Sequence, residues 1–173
     1  MWQFRLTDEV ISPTDLSRQL INQTAGALVT FEGWVRNNND GHQVTGLEYH
    51  IYHSLALKEG QRILTEASQR FELCGAVACH RWGYLQLGEV AVWVGTIAGH
   101  RGAAFAGTRF IINQIKNRLP IWKKEFYVDR PPQWVLCCSS GSVEQLLGAV
   151  PSSQQPYLRI EDDVGGNVLQ ELA

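Results

Sequence analysis

Short stretches of alternating or continuous hydrophobic residues recur along the chain. They predict β-strands, because successive side chains of a strand point to opposite faces. In "GALVTFEGWVR", for example, Ala27, Val29, Phe31 and Gly33 share one face of the predicted strand. The predicted strands are "WQFRLT", "GALVTFEGWVR", "VTGLEYHIY", "LCGAVACHRWG", "YLQLGE", "VAVWVGTIAG", "IWKKEFYV" and "QWVLCC".

Helical spacing appears in three other segments. In "SPTDLSRQLI", Ser12 is a candidate N-cap, Pro13 fits the first helical position, and Asp15 suits the positive end of the helix. Residues 54–71 form a second helix, which Gly60 weakens by about 1 kcal/mol. The apolar stripe of this helix consists of Ala56, Ile63, Leu64, Ala67 and Phe71.

The third helix runs from about His100 to Asn117. Pro120 closes it, because the residue before a proline avoids the helical region. Its predicted core face consists of Ala104, Thr108, Ile111, Ile112 and Ile115.

The resulting order is β-α-β-β-α-β-β-β-α-β-β, with "NNNDGHQ" as a turn-rich loop after the second strand. This order predicts an α+β fold with a mainly antiparallel or mixed sheet, because it lacks the regular alternation of a doubly wound fold. No glycine-rich phosphate loop of the nucleotide-binding kinds occurs.

A change of composition near residue 139 divides the chain. We expect one domain over residues 1–138 and a peripheral extension over residues 139–173, which is acidic and contains Ser, Gly, Gln and Pro. From Ser139 onward there are five acidic residues and one arginine, whereas the stretch from His100 to Glu125 contains six Lys or Arg and one acid.

The chain lacks the sequence marks of membrane insertion or secretion. No apolar run approaches the roughly 18 residues that cross a bilayer, and the N-terminus lacks the pattern of a secretory signal. Four cysteines, at positions 74, 79, 137 and 138, suggest no disulfide framework. We therefore expect a reduced, cytoplasmic compartment. The adjacent Cys137 and Cys138 lack a CxxC or His-x-His context, and we expect no metal site and no bound cofactor.

The basic stretch "NQIKNRLPIWKKEFY", residues 113–127, sets four cations among large apolar residues. Three explanations are open: a solvated helix end, a nucleic-acid patch, or a pocket for a small anion. Lys116 ends the third helix, where a cation also suits the helix dipole. Lys123 follows the Pro120 turn beside Trp122, and a lysine shielded by aromatic surface is suited to proton transfer. Lys124 points to the opposite face of the strand.

Further candidates lie at three other positions. His100 and Arg101 open the third helix, where free backbone N–H groups favour an anion, although the spacing alone favours capping or packing by His100 and solvation of Arg101. Arg36 stands where a strand passes into the turn-rich loop, a position suited to clamping a phosphate or carboxylate, although an arginine without a function is commoner in such loops. The pair His80-Arg81 lies within a β-rich run, where we favour a structural role.

Helix geometry limits how these residues can combine. His100 and Lys116 are sixteen residues apart, which is roughly 24 Å along a continuous helix. Both can therefore serve one small pocket only if two copies of the chain share it, as a symmetric dimer allows. The alternatives are two unrelated sites, or none.

Four segments in order resemble the large, catalytic subunit of molybdopterin synthase. These are "VTFEGWVRNNNDGHQVTGLEY", "CHRWGYLQLGEVAVWVG", "GHRGAAFAGTRFIINQIK" and "PIWKKE" followed by "QW", over roughly residues 25–136. The resemblance implies an α/β hammerhead fold. It also implies a homodimer of large subunits within a heterotetramer, in which each large subunit binds a small ubiquitin-like sulfur carrier that ends in a Gly-Gly thiocarboxylate.

The implied activity is that of a sulfurtransferase in molybdenum cofactor biosynthesis. Two sulfurs pass from the carrier to cyclic pyranopterin monophosphate (precursor Z) and form the dithiolene of molybdopterin. The family's catalytic lysines match Lys116 and Lys123. Its substrate-binding positions match Trp34, Val35, Arg36, His100, Arg101, Lys116, Lys123, Lys124 and Glu125.

Two other functions remain to be weighed. A non-catalytic scaffold could bind a ubiquitin-like carrier through its β surface, although the complete set of cations argues against lost catalysis. A nucleic-acid binder fits poorly, because the pI is about 6.2 and the sequence has no long basic stripe or RNA-binding aromatic motif.

Overall fold

The computed structural model describes residues 1–135. Within this range nine strands and three helices follow one another. They are β1 (Trp2–Thr7), α1 (Pro13–Arg18), β2 (Ala27–Trp34), β3 (Asn38–Asn39), β4 (His42–Ile51), α2 (His53–Arg70), β5 (Leu73–Arg81), β6 (Gly83–Gln86), β7 (Val90–Ala98), α3 (Arg101–Arg118), β8 (Ile121–Tyr127) and β9 (Gln133–Val135). The predictions for Cys137, Cys138 and the extension from residue 139 lie outside the described residues.

The strands form two sheets, which confirms the predicted α+β class. The first sheet has the order β1-β5-β7-β2, with β1 parallel to β5 and the other neighbours antiparallel. The second has the order β3-β4-β8-β9, with β6 also paired to β4, and all its pairings are antiparallel. The middle of β4 is thus enclosed between β6 and β8.

The turn-rich loop contains a strand that the sequence analysis did not predict. Asn38 and Asn39 form β3, which pairs with the start of β4. Asp40 and Gly41 make the reversal with φ values of 47° and 82°. These left-handed conformations confirm the predicted preference of Asp and Gly in this segment.

Helices cover both faces of the first sheet. Ala76, Ala78, Val92 and Val94 pack against α2 and α3, while their neighbours Val77 and Trp93 pack with Leu16 and Leu20 on the other face. Because both faces of β5 and β7 are covered, these strands are continuous apolar runs in the sequence. All five predicted core residues of α3 are buried.

The end of α1 corrects the predicted helices, and the packing of Gly60 explains a glycine within α2. Ser12 caps α1 by accepting a hydrogen bond from the Asp15 N–H at 3.4 Å, as predicted, but α1 ends at Arg18 instead of continuing through Ile21. Gly60 in α2 has a packing role, because a Cβ at this position would overlap the Phe4 ring of β1. The absence of a side chain at Gly60 therefore allows α2 to pack closely against the sheet, although glycine lowers the helix propensity.

None of the helices in residues 1–135 is both long enough and apolar enough to cross a membrane.

Candidate active site

The inner face of β8 carries three linked polar side chains. Lys123 Nζ lies 2.6 Å from Glu125 Oε1, and the two side chains are only 18% and 5% exposed. Tyr127 donates its hydroxyl hydrogen to Glu125 Oε2, with 2.6 Å between the oxygens. Lys123, Glu125 and Tyr127 occupy every second position of β8, so their side chains lie on the same face of the strand. The buried carboxylate consequently neutralises the Lys123 charge and also accepts the Tyr127 hydrogen bond.

The second sheet shields Lys123 from solvent. Its register partners are Tyr49 on β4 and Val135 on β9. Trp122 does not provide the shielding that the sequence analysis assigned to it, because adjacent strand residues face opposite ways and Trp122 is 43% exposed. Lys124 shares the outer face, where Nζ lies 5.8 Å from the ring centres of both Phe126 and Trp134.

A buried histidine adjoins this face through Tyr49. The rings of Tyr49 and His80 meet edge to face with 4.9 Å between their centres. His80 Nδ1 lies 2.8 Å from the Arg81 carbonyl oxygen, which can only accept, so Nδ1 carries the hydrogen. Burial, opposed by this hydrogen bond and assisted by the Lys116 charge, lowers the pKa of His80 to about 4. His80 is therefore neutral at physiological pH.

Lys116 belongs to the same region of the molecule. It lies in the last turn of α3, is solvent-exposed, and is close enough to His80 for its charge to affect the His80 pKa. His80 and Tyr49 thus connect the regions of Lys116 and Lys123. The sequence analysis favoured a structural role for His80 and did not consider Tyr49, because their contact depends on the packing of the two sheets.

The two other predicted site residues of this helix region, His100 and Arg101, lie at the start of α3. His100 is the N-cap without a side-chain capping bond, and Arg101 is the first helical residue; both are exposed. The 18-residue helix is continuous and about 27 Å long. The structure therefore separates His100 and Arg101 from Lys116 within one chain, as the helical spacing predicted.

The three predicted residues at the end of β2 and just beyond it have different surroundings. Trp34 is 65% exposed and donates from Nε1 to Glu32 Oε2 at 3.0 Å. Val35 is buried, and its backbone N–H and C=O are bonded to Glu89 and Gly88. Its side chain packs in a small core, so it supports the two flanking residues. The members of this core are Val35, Leu47, Leu85 and Ala91.

Arg36 is exposed, and its Nη2 donates to Asn39 Oδ1 at 2.7 Å. This contact holds the guanidinium against β3. Across residues 1–135, no three or more His, Cys, Asp or Glu side chains are grouped so as to hold a metal ion. An exposed guanidinium such as that of Arg36 can bind an anion through charge-assisted hydrogen bonds.

Known proteins with a similar sequence or structure share the fold. The family model described as MoaE protein matches residues 6–118, which includes Lys116 and ends before Lys123. The molybdopterin synthase catalytic subunit of Thermoplasma volcanium is 38% identical over 129 residues, covering 75% of this chain and 94% of that protein.

Solved structures agree with the family match. The crystal structure of molybdopterin synthase from Staphylococcus aureus has a TM-score of 0.73 and 32% identity, covering 78% of this chain and 98% of that chain. The complex of subunits 1 and 2 of molybdopterin-converting factor from Helicobacter pylori has a TM-score of 0.60 and 18% identity, covering 75% and 86%, and shows likeness of fold. The resemblance inferred from the sequence is confirmed, and the chain belongs to the MoaE protein family.

Proposed function

We propose that this protein is the catalytic subunit of molybdopterin synthase, a sulfurtransferase of molybdenum cofactor biosynthesis. It transfers two sulfurs from the C-terminal thiocarboxylate of a small ubiquitin-like carrier to cyclic pyranopterin monophosphate. The product is the dithiolene of molybdopterin. The proposal agrees with the name of the Thermoplasma volcanium relative, which is 38% identical to this chain.

The observation that carries the proposal is the shielded Lys123–Glu125 pair. The reaction brings a thiocarboxylate close to a substrate phosphate, and the repulsion between these anions has to be cancelled. Cations that are held in place and shielded from water do this more effectively than solvated ones. Lys123 is held by a buried carboxylate, and Lys116 adds a second charge near His80.

The proposed roles follow from where each cation lies. Arg36, His100 and Arg101 are exposed and available to hold the phosphate and pterin. Lys116 and Lys123 orient the thiocarboxylate, stabilise the developing negative charge and move protons. Trp34, with Val35 behind it, and Lys124 with Glu125 complete the predicted binding surface.

The quaternary proposal follows from the length of α3. His100 and Arg101 cannot reach the substrate held by Lys116 in the same chain, because the helix between them is about 27 Å long. A homodimer solves this by placing the start of one α3 near the end of its partner's α3. With one carrier bound to each catalytic subunit, the assembly is a heterotetramer. We place it in the cytoplasm, without a bound cofactor.

Reconstitution tests the proposed function. Purified protein, thiocarboxylated carrier and precursor Z should yield molybdopterin, detected after oxidation as a fluorescent pterin, and carrier with an ordinary C-terminal carboxylate should yield none. Absence of product, with carrier binding verified, would favour the non-catalytic scaffold. A nucleic-acid binder would instead show salt-dependent binding to a generic duplex.

A further inference from the structure

Arg81 is a nearly buried cation at the end of β5 that the proposed mechanism does not use. Its side chain is 10% exposed, and its Nη1 lies 3.0 Å from Glu89 Oε2 in an ion pair. A cation is costly to bury unless an opposite charge accompanies it. Glu89 supplies that charge from the turn between β6 and β7. The ion pair thus connects the end of β5 to a turn further along the chain.

The first sheet fixes the position of Arg81. Arg81 pairs with Thr7 in the register of β5 with β1, and the Trp82 N–H donates to the Thr7 carbonyl oxygen at 2.9 Å. Arg81 Nε donates to the Asp8 carbonyl oxygen at 3.2 Å. The guanidinium is therefore held by its own strand and by the residue that follows β1, and its contact with Glu89 starts from a fixed place.

Glu89 closes the turn between β6 and β7. Its Oε2, which faces Arg81, also accepts a hydrogen bond from the Gln86 N–H at 2.8 Å, and the Glu89 N–H donates to the Gln86 carbonyl oxygen at 3.2 Å. Gly88 provides the left-handed residue of the turn, with a φ of 81°. The Gln86 hydrogen bond, opposed by burial, and the Arg81 charge lower the pKa of Glu89. The carboxylate is therefore charged at neutral pH, and one of its oxygens joins the turn to β5.

The same turn holds the backbone of Val35 from both sides. The Val35 N–H donates to the Glu89 carbonyl oxygen at 3.0 Å, and the Gly88 N–H donates to the Val35 carbonyl oxygen at 2.8 Å. These bonds continue the pairing of β2 with β7 beyond the bulge at the end of β2. Trp34 and Arg36, the exposed predicted substrate ligands, are bonded directly to Val35. The turn therefore determines where their side chains start.

Arg36 is also held on its other side. The Asn37 carbonyl oxygen accepts a hydrogen bond from the Val44 N–H of β4 at 2.9 Å, and Arg36 Nη2 donates to Asn39 Oδ1 at 2.7 Å. Arg36 thus lies between one residue held by the turn and one held by β4. A guanidinium whose backbone is held in this way loses less conformational freedom when it binds an anion, and so it binds more tightly than a mobile one.

We propose that Arg81 is a positioning residue: its ion pair with Glu89 fixes the turn between β6 and β7, and the two backbone hydrogen bonds from this turn to Val35 place Arg36 for binding the substrate anion. Without the ion pair, the turn keeps its backbone bonds and opens more often. The anchoring of Val35 is independent of the reaction, whereas the identity of the anion as the phosphate of precursor Z rests on the proposed function.

Two substitutions break the ion pair, and a third is a matched control. Arg81→Met removes the cation and keeps much of the side-chain length. Glu89→Gln removes the negative charge and keeps an oxygen that can accept from the Gln86 N–H. Arg5→Met is the control, because Arg5 is a partly buried arginine of β1 that donates to Gln19 Oε1 at 2.7 Å and is not part of the path. Melting temperatures verify folding, and Glu89→Gln carries the test alone if Arg81→Met does not fold.

Hydrogen exchange followed by NMR tests the anchor without an assay of activity. Relative to amides in the centre of β7, which report global stability, the Val35 amide should exchange about tenfold faster in Arg81→Met and Glu89→Gln than in wild type, because the turn opens more often. Arg5→Met should leave this ratio as it is in wild type. An unchanged ratio in the folded ion-pair variants would overturn the proposal.

Steady-state kinetics test whether the anchor acts through Arg36. In Arg81→Met and Glu89→Gln, the KM for precursor Z should rise about tenfold while kcat stays within about twofold of wild type, since substrate binding is weakened and the catalytic lysines are untouched. In an Arg36→Ala background, Arg81→Met should raise KM by less than about twofold, because the group that it positions is already absent. Equal KM increases with and without Arg36 would overturn the proposal.

The two readouts separate this proposal from the proposed function. If wild type forms no molybdopterin, the proposed function fails, and the exchange of the Val35 amide still decides whether Arg81 anchors this residue. If wild type is active and the exchange ratio is the same in the ion-pair variants as in wild type, the positioning role fails and the proposed function stands.

Discussion

At the scale of single residues, Lys123 is distinguished from the other cations by its surroundings. Its side chain is 18% exposed and paired with a buried carboxylate. We predict that Lys123→Ala removes most molybdopterin formation, because no other group replaces a shielded cation at this place. Lys123→Arg should also lose most of it, since arginine cannot release and recover a proton near neutral pH.

The control for this prediction is Lys58→Ala, which removes an exposed lysine of α2. Turnover and carrier binding are measured together, so that a folded variant that still binds carrier is recognised. Near-normal turnover of Lys123→Arg would rule out proton transfer by this residue and leave an electrostatic role.

His80 makes a second residue-scale prediction, which concerns stability against pH. Its pKa in the fold is about 4, below the ordinary value of 6.5, so between these values the unfolded chain binds a proton that the folded chain does not. The free energy of unfolding should therefore fall as pH decreases from 6.5 to 4, by about 3 kcal/mol from this residue.

Denaturant unfolding of wild type and His80→Gln at pH 6.5 and 4 measures this contribution. The variant cannot titrate at this position, so its loss of stability over the same interval should be smaller. The comparison removes the effect of carboxylates, which titrate in both proteins. Equal losses of unfolding free energy in the two proteins would contradict the lowered pKa of His80. So would an NMR titration midpoint of His80 near 6.5 in wild type.

The residues that the sequence could identify are those whose neighbours are close along the chain. Lys123, Glu125 and Tyr127 share a face by strand alternation, so Tyr127 could have been added to the site from spacing alone. Tyr49 and His80 could not, because their contacts depend on the register of β4 and on the packing of the two sheets. Sequence alternation identifies a face of a strand and does not identify what lies opposite it.

At the scale of elements, one arginine joins α2 to the end of α3. Arg118 donates from Nη1 and Nη2 to Glu66 at 2.6 and 2.9 Å, and from Nε to Glu59 at 2.7 Å. Hydrogen bonds and charge from the two glutamates raise the pKa of Arg118, and that of Glu66 is lowered in turn. This junction holds the turn of α3 that carries Lys116.

Arg118→Lys should therefore lower the free energy of unfolding by about 1 kcal/mol, since lysine cannot form the paired bonds of a guanidinium. It should also lower activity, because the last turn of α3 is less firmly held. The control Arg62→Lys changes a 69%-exposed residue that contacts the same two glutamates, and it should stay within about 0.5 kcal/mol of wild type. Equal effects of the two substitutions would contradict the role of Arg118.

The helices were predictable to within a residue or two where their signals are local. Ser12 and Pro13 mark the start of α1, and Pro120 follows the end of α3. The early end of α1 was not predictable, because Leu20 leaves the helix to fill a core position among Val77 and Trp93. The two-residue β3 was missed for a similar reason, since its pairing depends on β4.

At the scale of the whole molecule, the shared pocket is the most demanding prediction. Arg101 and Lys116 lie near opposite ends of α3, so if both serve one substrate they come from different subunits. Arg101→Ala and Lys116→Ala should each be nearly inactive as homodimers. In a mixture, about half the dimers are hetero, and each of these has one intact pocket and one with both lesions. Activity should then return to about a quarter of wild type per total site, provided that the pockets act independently.

If both residues came from one chain, every pocket in the mixture would carry a lesion and no activity would return. Differently tagged subunits verify the exchange by pull-down, so an inactive mixture with verified heterodimers would overturn the assignment to two subunits.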